Sequence, residues 1–394
     1  MNDTDRVRAA LAGVVGAVLF AQVSLYPGLP DLVAALGAPP TIDAAMWFLA
    51  AEFAAFVAFA AAWGAASDAV GSRSPLIAAS GGMGALGYLA IVAAPAFGLP
   101  FVAVIAIRVF QGAAVIGAFS LALAMLMDLD GGHGRNMGAA GLAIGAGTAL
   151  GAPIGGQLTA VDPLLPVAVA AGLLVAVAAT ASILPDSAPG GGRRLRAVAT
   201  ALAGRRELAV PYAYGFVDRL TAGFFALVGT LYFRSAFALD AAATGAMLAL
   251  FFAPFALLQY PLGALSDRSG RFLPVVGGSL AYGVAVLAVG LAPSVQLAGL
   301  GMVAAGVVGA AMAPATMALV TDLVGEGQRG AAIGGFNIAG SLGFLVGILL
   351  GGTVAETWGF EPAFVVVAGL EGLVALATLP AMRRIADSDA GEGG

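Results

Sequence analysis

Long apolar runs separated by short polar turns set the pattern of this chain. They fall at 9–29, 44–66, 75–94, 99–127, 138–158 and 163–184, then at 209–233, 242–265, 274–291, 296–321, 331–354 and 362–382. Each is about as long as a helix must be to cross a ~30 Å hydrocarbon core, where every backbone amide has to be satisfied within its own segment. The pattern predicts an all-α integral membrane protein of 12 transmembrane helices. Between the sixth and seventh runs lies a polar stretch with Ala188-Pro-Gly-Gly-Gly192 at its centre and five arginines, Arg193, Arg194, Arg196, Arg205 and Arg206. Such a stretch cannot cross a membrane and reads as a linker, 185–208, between a six-helix half at 1–184 and another at 209–382, with a tail at 383–394.

Composition supports this and narrows the chemistry. Hydrophobic residues make up 60% of the chain, charged residues 10%, and mean hydropathy is +0.99, against roughly 25% charged in soluble domains. There is no cysteine, and His133 is the single histidine, so disulfides, thiolate sites and histidine-rich metal sites are excluded. No cofactor and no enzyme chemistry are expected. The first run follows Arg6 and Arg8 as a signal peptide would, but it is long for one and ends in Tyr26-Pro-Gly-Leu-Pro30 instead of a small-residue cleavage site. We read it as a retained helix 1.

Arginine counts set the expected orientation. With the linker inside, 14 of the 17 basic residues, all of them arginine, lie on one side; Arg234 stands alone on the other, and Arg108 and Arg219 fall inside spans. That asymmetry satisfies the positive-inside rule and puts both termini in the cytoplasm of a multi-pass plasma-membrane protein.

Landmarks recur between the halves. Gly263-Ala-Leu-Ser-Asp267-Arg268-Ser-Gly270-Arg271 is echoed 199 residues earlier (267 minus 68) by Gly64-Ala-Ala-Ser-Asp68-Ala-Val-Gly71-Ser-Arg73. Asp128 and Arg135 correspond to Asp322 and Arg329 at an offset of 194, and Gly147, Gly151, Gly155 and Gly156 to Gly343, Gly347, Gly351 and Gly352 at 196. The helix 5 glycines superficially imitate a dinucleotide-binding loop, but no strand precedes them and no acid follows at the required distance. Small residues every four positions instead let helices approach closely in lipid.

The two hinge loops resemble the signature loop of the major facilitator superfamily, which occurs between helices 2 and 3 and again between helices 8 and 9. Arg108-Val-Phe-Gln111-Gly112 resembles the family's helix 4 motif. Gly147-x-x-x-Gly151-x-Pro153-x-Gly155-Gly156 resembles the helix 5 motif of its drug and proton antiporters, with the proline displaced by one position. The resemblance implies two pseudo-symmetric six-helix halves, alternating access, and substrate bound near the midplane. It further implies a proton-coupled exporter of a small, hydrophobic molecule, with the loop residues Gly64, Asp68, Gly71, Arg73, Gly263, Asp267, Arg268, Gly270 and Arg271 as cytoplasmic gates. An importer or facilitator of a small metabolite is the alternative, because helix 1, with Gln22 and Ser24, has no embedded acid. A non-transport sensor or scaffold is the third reading. The expected partners are the lipid bilayer, a small-molecule substrate and protons, with no nucleic acid, and the expected state is a monomer.

Embedded charges mark the candidate site, since an ionised side chain at mid-bilayer costs at least ~2.5 kcal/mol and is retained for a reason. In the first half these are Glu52, Arg108 and the adjoining Gln111; in the second, Asp218, Arg219 and Glu371. Glu52 and Arg108 each lie roughly 12 to 14 Å below the outer ends of their helices at 1.5 Å per residue, so they can meet. They then form either a static ion pair or a proton-coupling pair. Asp218 and Arg219 are adjacent on a helix and point about 100° apart, which gives them different partners. For Asp218, Arg219 and Glu371, structural pairing and a role in proton or substrate binding both stay open. Phe216, Phe224, Phe225, Tyr232, Phe251, Phe252 and Tyr260 crowd helices 7 and 8; lipid contact is the favoured reading, an apolar pocket the other.

Overall fold

The computed structural model describes residues 3–39, 41–130, 133–186, 205–325 and 328–392. Twelve helices in it are long and apolar enough to cross a membrane. Helices 1 to 6 are Asp3–Val23, Ile42–Val70, Ser74–Ala93, Phe101–Met127, His133–Val161 and Leu165–Ser182. Helices 7 to 12 are Arg206–Ala236, Ala241–Ser269, Leu273–Gly290, Val295–Asp322, Arg329–Trp358 and Phe360–Glu392. The linker residues 187–204, with Arg193, Arg194 and Arg196, lie outside the described residues.

Several boundaries differ from the hydropathy pattern, most instructively those of helix 1. Helix 1 begins at Asp3, well inside the polar leader, because Arg8 is buried and satisfied there. Its Nε donates to Asn136 Oδ1 (2.8 Å), its Nη2 to the Asp130 carbonyl (2.6 Å), and Asp5 pairs with it. Helix 1 also stops at Val23 instead of running to Leu29, and a separate short helix, Leu29–Ala35, follows the turn that contains Pro27. Proline has no N–H to continue the helical ladder. Helix 12 continues past Met382 to Glu392. Helices 7 and 9 each contain a π-helical turn, Phe225–Gly229 and Leu273–Gly277.

The chain divides into two compact units, one of residues 1–192 with 233–249, the other of 193–232 with 250–394. In the first, helix 1 packs chiefly on helix 5, helix 2 on helix 4, and helix 3 on helices 4 and 6. In the second, helix 7 packs on helix 11, and helix 9 on helices 10 and 12. Glycine makes the tightest seams. A Cβ at Gly151 would lie 3.1 Å from the Phe20 carbonyl, one at Gly147 would overlap the Gly16 carbonyl on helix 1, and one at Gly155 the carbonyl of Ser24 just past the end of that helix. On helix 11, a Cβ at Gly343 or Gly347 would overlap the carbonyl of Phe216 or Leu220 on helix 7. Backbone-to-backbone approach of this kind is how helices gain packing where water exclusion cannot drive them together.

The aromatic residues of helices 7 and 8 correct the lipid-contact expectation in part. Phe224, Phe225 and Tyr232 are buried and ring Phe364 of helix 12 at centroid distances of 4.9, 5.9 and 5.0 Å, so they are core. Tyr260, at 87% exposed, is surface.

Candidate functional site

In the first unit, helices 2, 3 and 4 are drawn together by two glycines. A Cβ at Gly112 would lie 2.8 Å from the Glu52 carbonyl, and one at Gly87 would lie 2.6 Å from Gln111 Cβ. This close approach brings the predicted trio into contact. Arg108 Nη2 donates to Glu52 Oε2 at 2.6 Å, Arg108 Nη1 to Gln111 Oε1 at 2.7 Å, and Gln111 Nε2 to Glu52 Oε1 at 3.3 Å. All three residues are fully buried. The guanidinium carbon sits 4.6 Å from the Phe48 ring centroid and 5.6 Å from that of Tyr88, so two aromatic faces cap the cation. Neither aromatic was singled out by sequence; Tyr88, a phenol within an apolar span, was the available signal. Among the described residues, Arg108 Nε and the Tyr88 hydroxyl have no hydrogen-bond partner.

In the second unit the acid has different company. Glu371 is fully buried, and its carboxyl accepts hydrogen bonds from Thr221 Oγ1 (2.8 Å) and Ser279 Oγ (2.6 Å). No cation lies within ion-pair distance of it among the described residues. Thr221 on helix 7 and Ser279 on helix 9 escaped the sequence reading, because lone hydroxyls in apolar spans more often bond their own helix backbone, as Thr221 also does to Val217. Asp218 and Arg219 were expected to have different partners, but they form a loose ion pair with each other, Nε to Oδ2 at 3.8 Å, because both side chains are long enough to bend together. Arg219 is half exposed while Asp218 is mostly covered.

The hinge loops are built alike and charged differently. Gly71 and Gly270 adopt φ of 69° and 83°, the left-handed region that glycine enters without penalty. Arg73 pairs with Asp128 at 2.6 Å, and Arg271, its counterpart, pairs with Asp322 at 3.1 Å. Arg271 also binds Asp267 (2.6 Å) and Ser266 (2.8 Å). Burial alone would lower the Arg271 pKa, but the hydrogen bonds it donates to Asp267 and Asp322 outweigh it and hold it above the ordinary guanidinium value. Asp68, the counterpart of Asp267, is exposed and has no ion pair among the described residues; Arg268 is exposed too. Gly64 and Gly263 leave room for a Cβ and are not needed for packing.

The helix 5 motif has a packing role. Gly147, Gly151 and Gly155 form the seam with helix 1, while Gly156 abuts the backbone of Ala241, and Pro153 lies against Gly245. No group of three or more His, Cys, Asp or Glu side chains that could hold a metal is present among the described residues.

Comparison with known proteins places this geometry. Residues 211–393 match the family model of the Major Facilitator Superfamily. An uncharacterized MFS-type transporter of Methanocaldococcus jannaschii is 29% identical over 153 residues, 38% of each chain. Multidrug resistance protein MdtG of Serratia proteamaculans is 33% identical over 109 residues, 27% of this chain and 26% of the relative. The matched stretch thus spans well under half of these curated relatives. The fold is shared along nearly the whole length with the human organic anion transporter MFSD10 (TM-score 0.70, 22% identity, 95% of this chain and 99% of the other). It is shared as well with a bacterial homolog of the human lysosomal transporter Spinster (TM-score 0.81, 14% identity, 97% and 98%). Twelve candidate spans, a match of residues 211–393 to the Major Facilitator Superfamily model and a fold shared along nearly the whole length with solved transporters make this a multi-pass membrane protein that resembles the transporters of that superfamily.

Proposed function

We propose that the protein is a secondary transporter that exports a small molecule in exchange for protons by alternating access. It works as a monomer in the plasma membrane with both termini in the cytoplasm. The observation that carries the proton-coupled reading is the contrast between the two buried carboxyls. Glu52 is engaged on both oxygens by Arg108 and Gln111, an arrangement suited to a permanent charge. Glu371 meets hydroxyls alone. A hydroxyl can donate to a carboxylate or accept from a carboxylic acid, so the Glu371 site tolerates both protonation states without rearranging. The printed name of the MdtG relatives, multidrug resistance protein, supports export over import.

The test uses proteoliposomes with an internal pH dye and a panel of fluorescent hydrophobic compounds. Glu371→Gln mimics the protonated acid, so it should abolish accumulation driven by a pH gradient and preserve exchange at equal pH. Uphill accumulation that survives in Glu371→Gln removes Glu371 as the carrier and moves the assignment to Glu52 or Asp218. Transport without any pH response in the wild type favours the facilitator.

A further inference from the structure

The middle of helix 7 is most open at one residue. Between positions 210 and 234, Arg219 alone is exposed, and its side chain is 50% accessible. It shares a helix face with the half-buried Tyr212, Phe216 and Ala222, and an arginine laid against hydrocarbon would cost several kcal/mol. The exposure of Arg219 is therefore an opening to water. Position 219 lies about 15 Å along the helix from Ala209, near mid-membrane.

The local packing aims the guanidinium into that opening. Arg219 Cγ lies against Gly340 of helix 11, where a Cβ would approach it to 3.1 Å, so glycine is what lets the side chain pass. Helices 7 and 11 run parallel here, because Gly335 meets Tyr212, Gly343 meets Phe216 and Gly347 meets Leu220. A long side chain on a helix leans toward its N-terminus. Arg219 accordingly leans toward Asn337, nearly one turn before Gly340 and itself exposed. Apart from the 3.8 Å approach of Nε to Asp218, no ion pair or hydrogen bond engages this guanidinium among the described residues. Its two terminal nitrogens present a planar fork of donors, the shape that matches a carboxylate, sulfonate or phosphate.

We infer that Arg219 is the charge subsite of the transported molecule and that the substrate is an organic anion, its acidic group held by the Arg219 fork beside Asn337. This rests on the transport reading and sharpens it: the cargo is amphiphilic, with one negatively charged end.

Because the chain contains no cysteine, Asn337→Cys introduces a single thiol beside the subsite. Its labelling by the anionic sulfonatoethyl methanethiosulfonate is compared with that by the cationic trimethylammonioethyl reagent, each rate normalised to free 2-mercaptoethanol. A water-filled opening dominated by Arg219 should favour the anion by about ten-fold, at the lower end of electrostatic enrichment in clefts. Adding Arg219→Gln should abolish the preference, and Arg219→Lys, which keeps the charge should glutamine perturb folding, should retain it. Failure of both reagents to label, equal rates, or a preference indifferent to Arg219→Gln would overturn the inference. Labelling needs neither transport nor a proton gradient. A protein that concentrates the anion yet shows no pH-driven accumulation would refute the coupling and leave this subsite standing, and the reverse result would do the opposite.

Discussion

Arg234 grips Asp31 with both ends of its guanidinium, Nη1 to Oδ2 at 2.6 Å and Nη2 to Oδ1 at 2.9 Å, while Nη1 also reaches the Pro27 carbonyl at 3.3 Å. In the arginine count this residue stood alone on its side of the membrane, where charge bias offers no reason for it. Its partner lies on the short helix Leu29–Ala35. Together they tie the 233–249 segment to the first compact unit, to which that segment belongs.

This pair should behave as a latch whose strength depends on opposite charge and not on which residue carries it. Arg234→Ala and Asp31→Ala are each expected to lower the melting temperature slightly, and the double variant should cost no more than the worse single one. A coupling on the order of 1 kcal/mol suits a partly exposed bidentate pair. The charge swap, Asp31→Arg with Arg234→Asp, should recover part of the loss; strictly additive single-variant effects would show that the two side chains do not cooperate.

Arg108 and Glu52 present the harsher case, because both are cut off from solvent. Arg108→Ala strands a buried carboxylate and should cost about 3–5 kcal/mol, while Arg108→Lys should recover only part of it, since an ammonium cannot span Glu52 and Gln111 together. Replacing both at once, Glu52→Gln with Arg108→Met, should destabilise less than Arg108→Ala alone. Thermal unfolding in nanodiscs reads all of these, and a double variant worse than the single one would contradict a simple ion pair.

The two hinge aspartates should differ although sequence makes them equivalent. Asp267→Asn takes one acid from Arg271 and should slow transport while leaving the amount of inserted protein unchanged. Asp68→Asn removes an exposed carboxylate with no ion pair and should stay near wild type. Transport rates normalised to membrane protein test this directly, and equal defects in the two variants would refute a gate specific to the second loop.

Glycines that look alike should also divide sharply. Gly155→Ala and Gly347→Ala push a methyl into a neighbouring carbonyl and should cost about 1–3 kcal/mol. Gly141→Ala, where nothing lies within 4 Å of the added carbon, should be neutral or slightly stabilising. Comparable melting temperatures for all three would mean the seams relax freely.

Much of this architecture was legible from hydropathy, because residue order and span length fix how deep each side chain sits. That is why Glu52 and Arg108 could be matched at equal depth before any contact was seen. Rotation about each helix axis is another matter. Glu371 finds Thr221 at a separation of 150 residues and Ser279 at 92, and no local pattern tells which way a lone hydroxyl turns. The anchoring role of Arg8 was hidden for a related cause: its burial depends on Asn136 and the Asp130 carbonyl, more than 120 residues away. The latch needed the turn at Pro27, which hydropathy had absorbed into helix 1.

The glycine seams separate what the two halves share from what they do not. Helix 5 meets helix 1 through Gly147 and Gly151, and helix 11 meets helix 7 through Gly343 and Gly347, at matching positions of the two halves. The same close approach thus serves both halves of the chain. Glu52, whose counterpart near an offset of 199 is Phe251, and Asp218, whose counterpart is Leu19, each exist in one copy alone. The seams are thus what the two halves hold in common, and these charges are what set one half apart from the other.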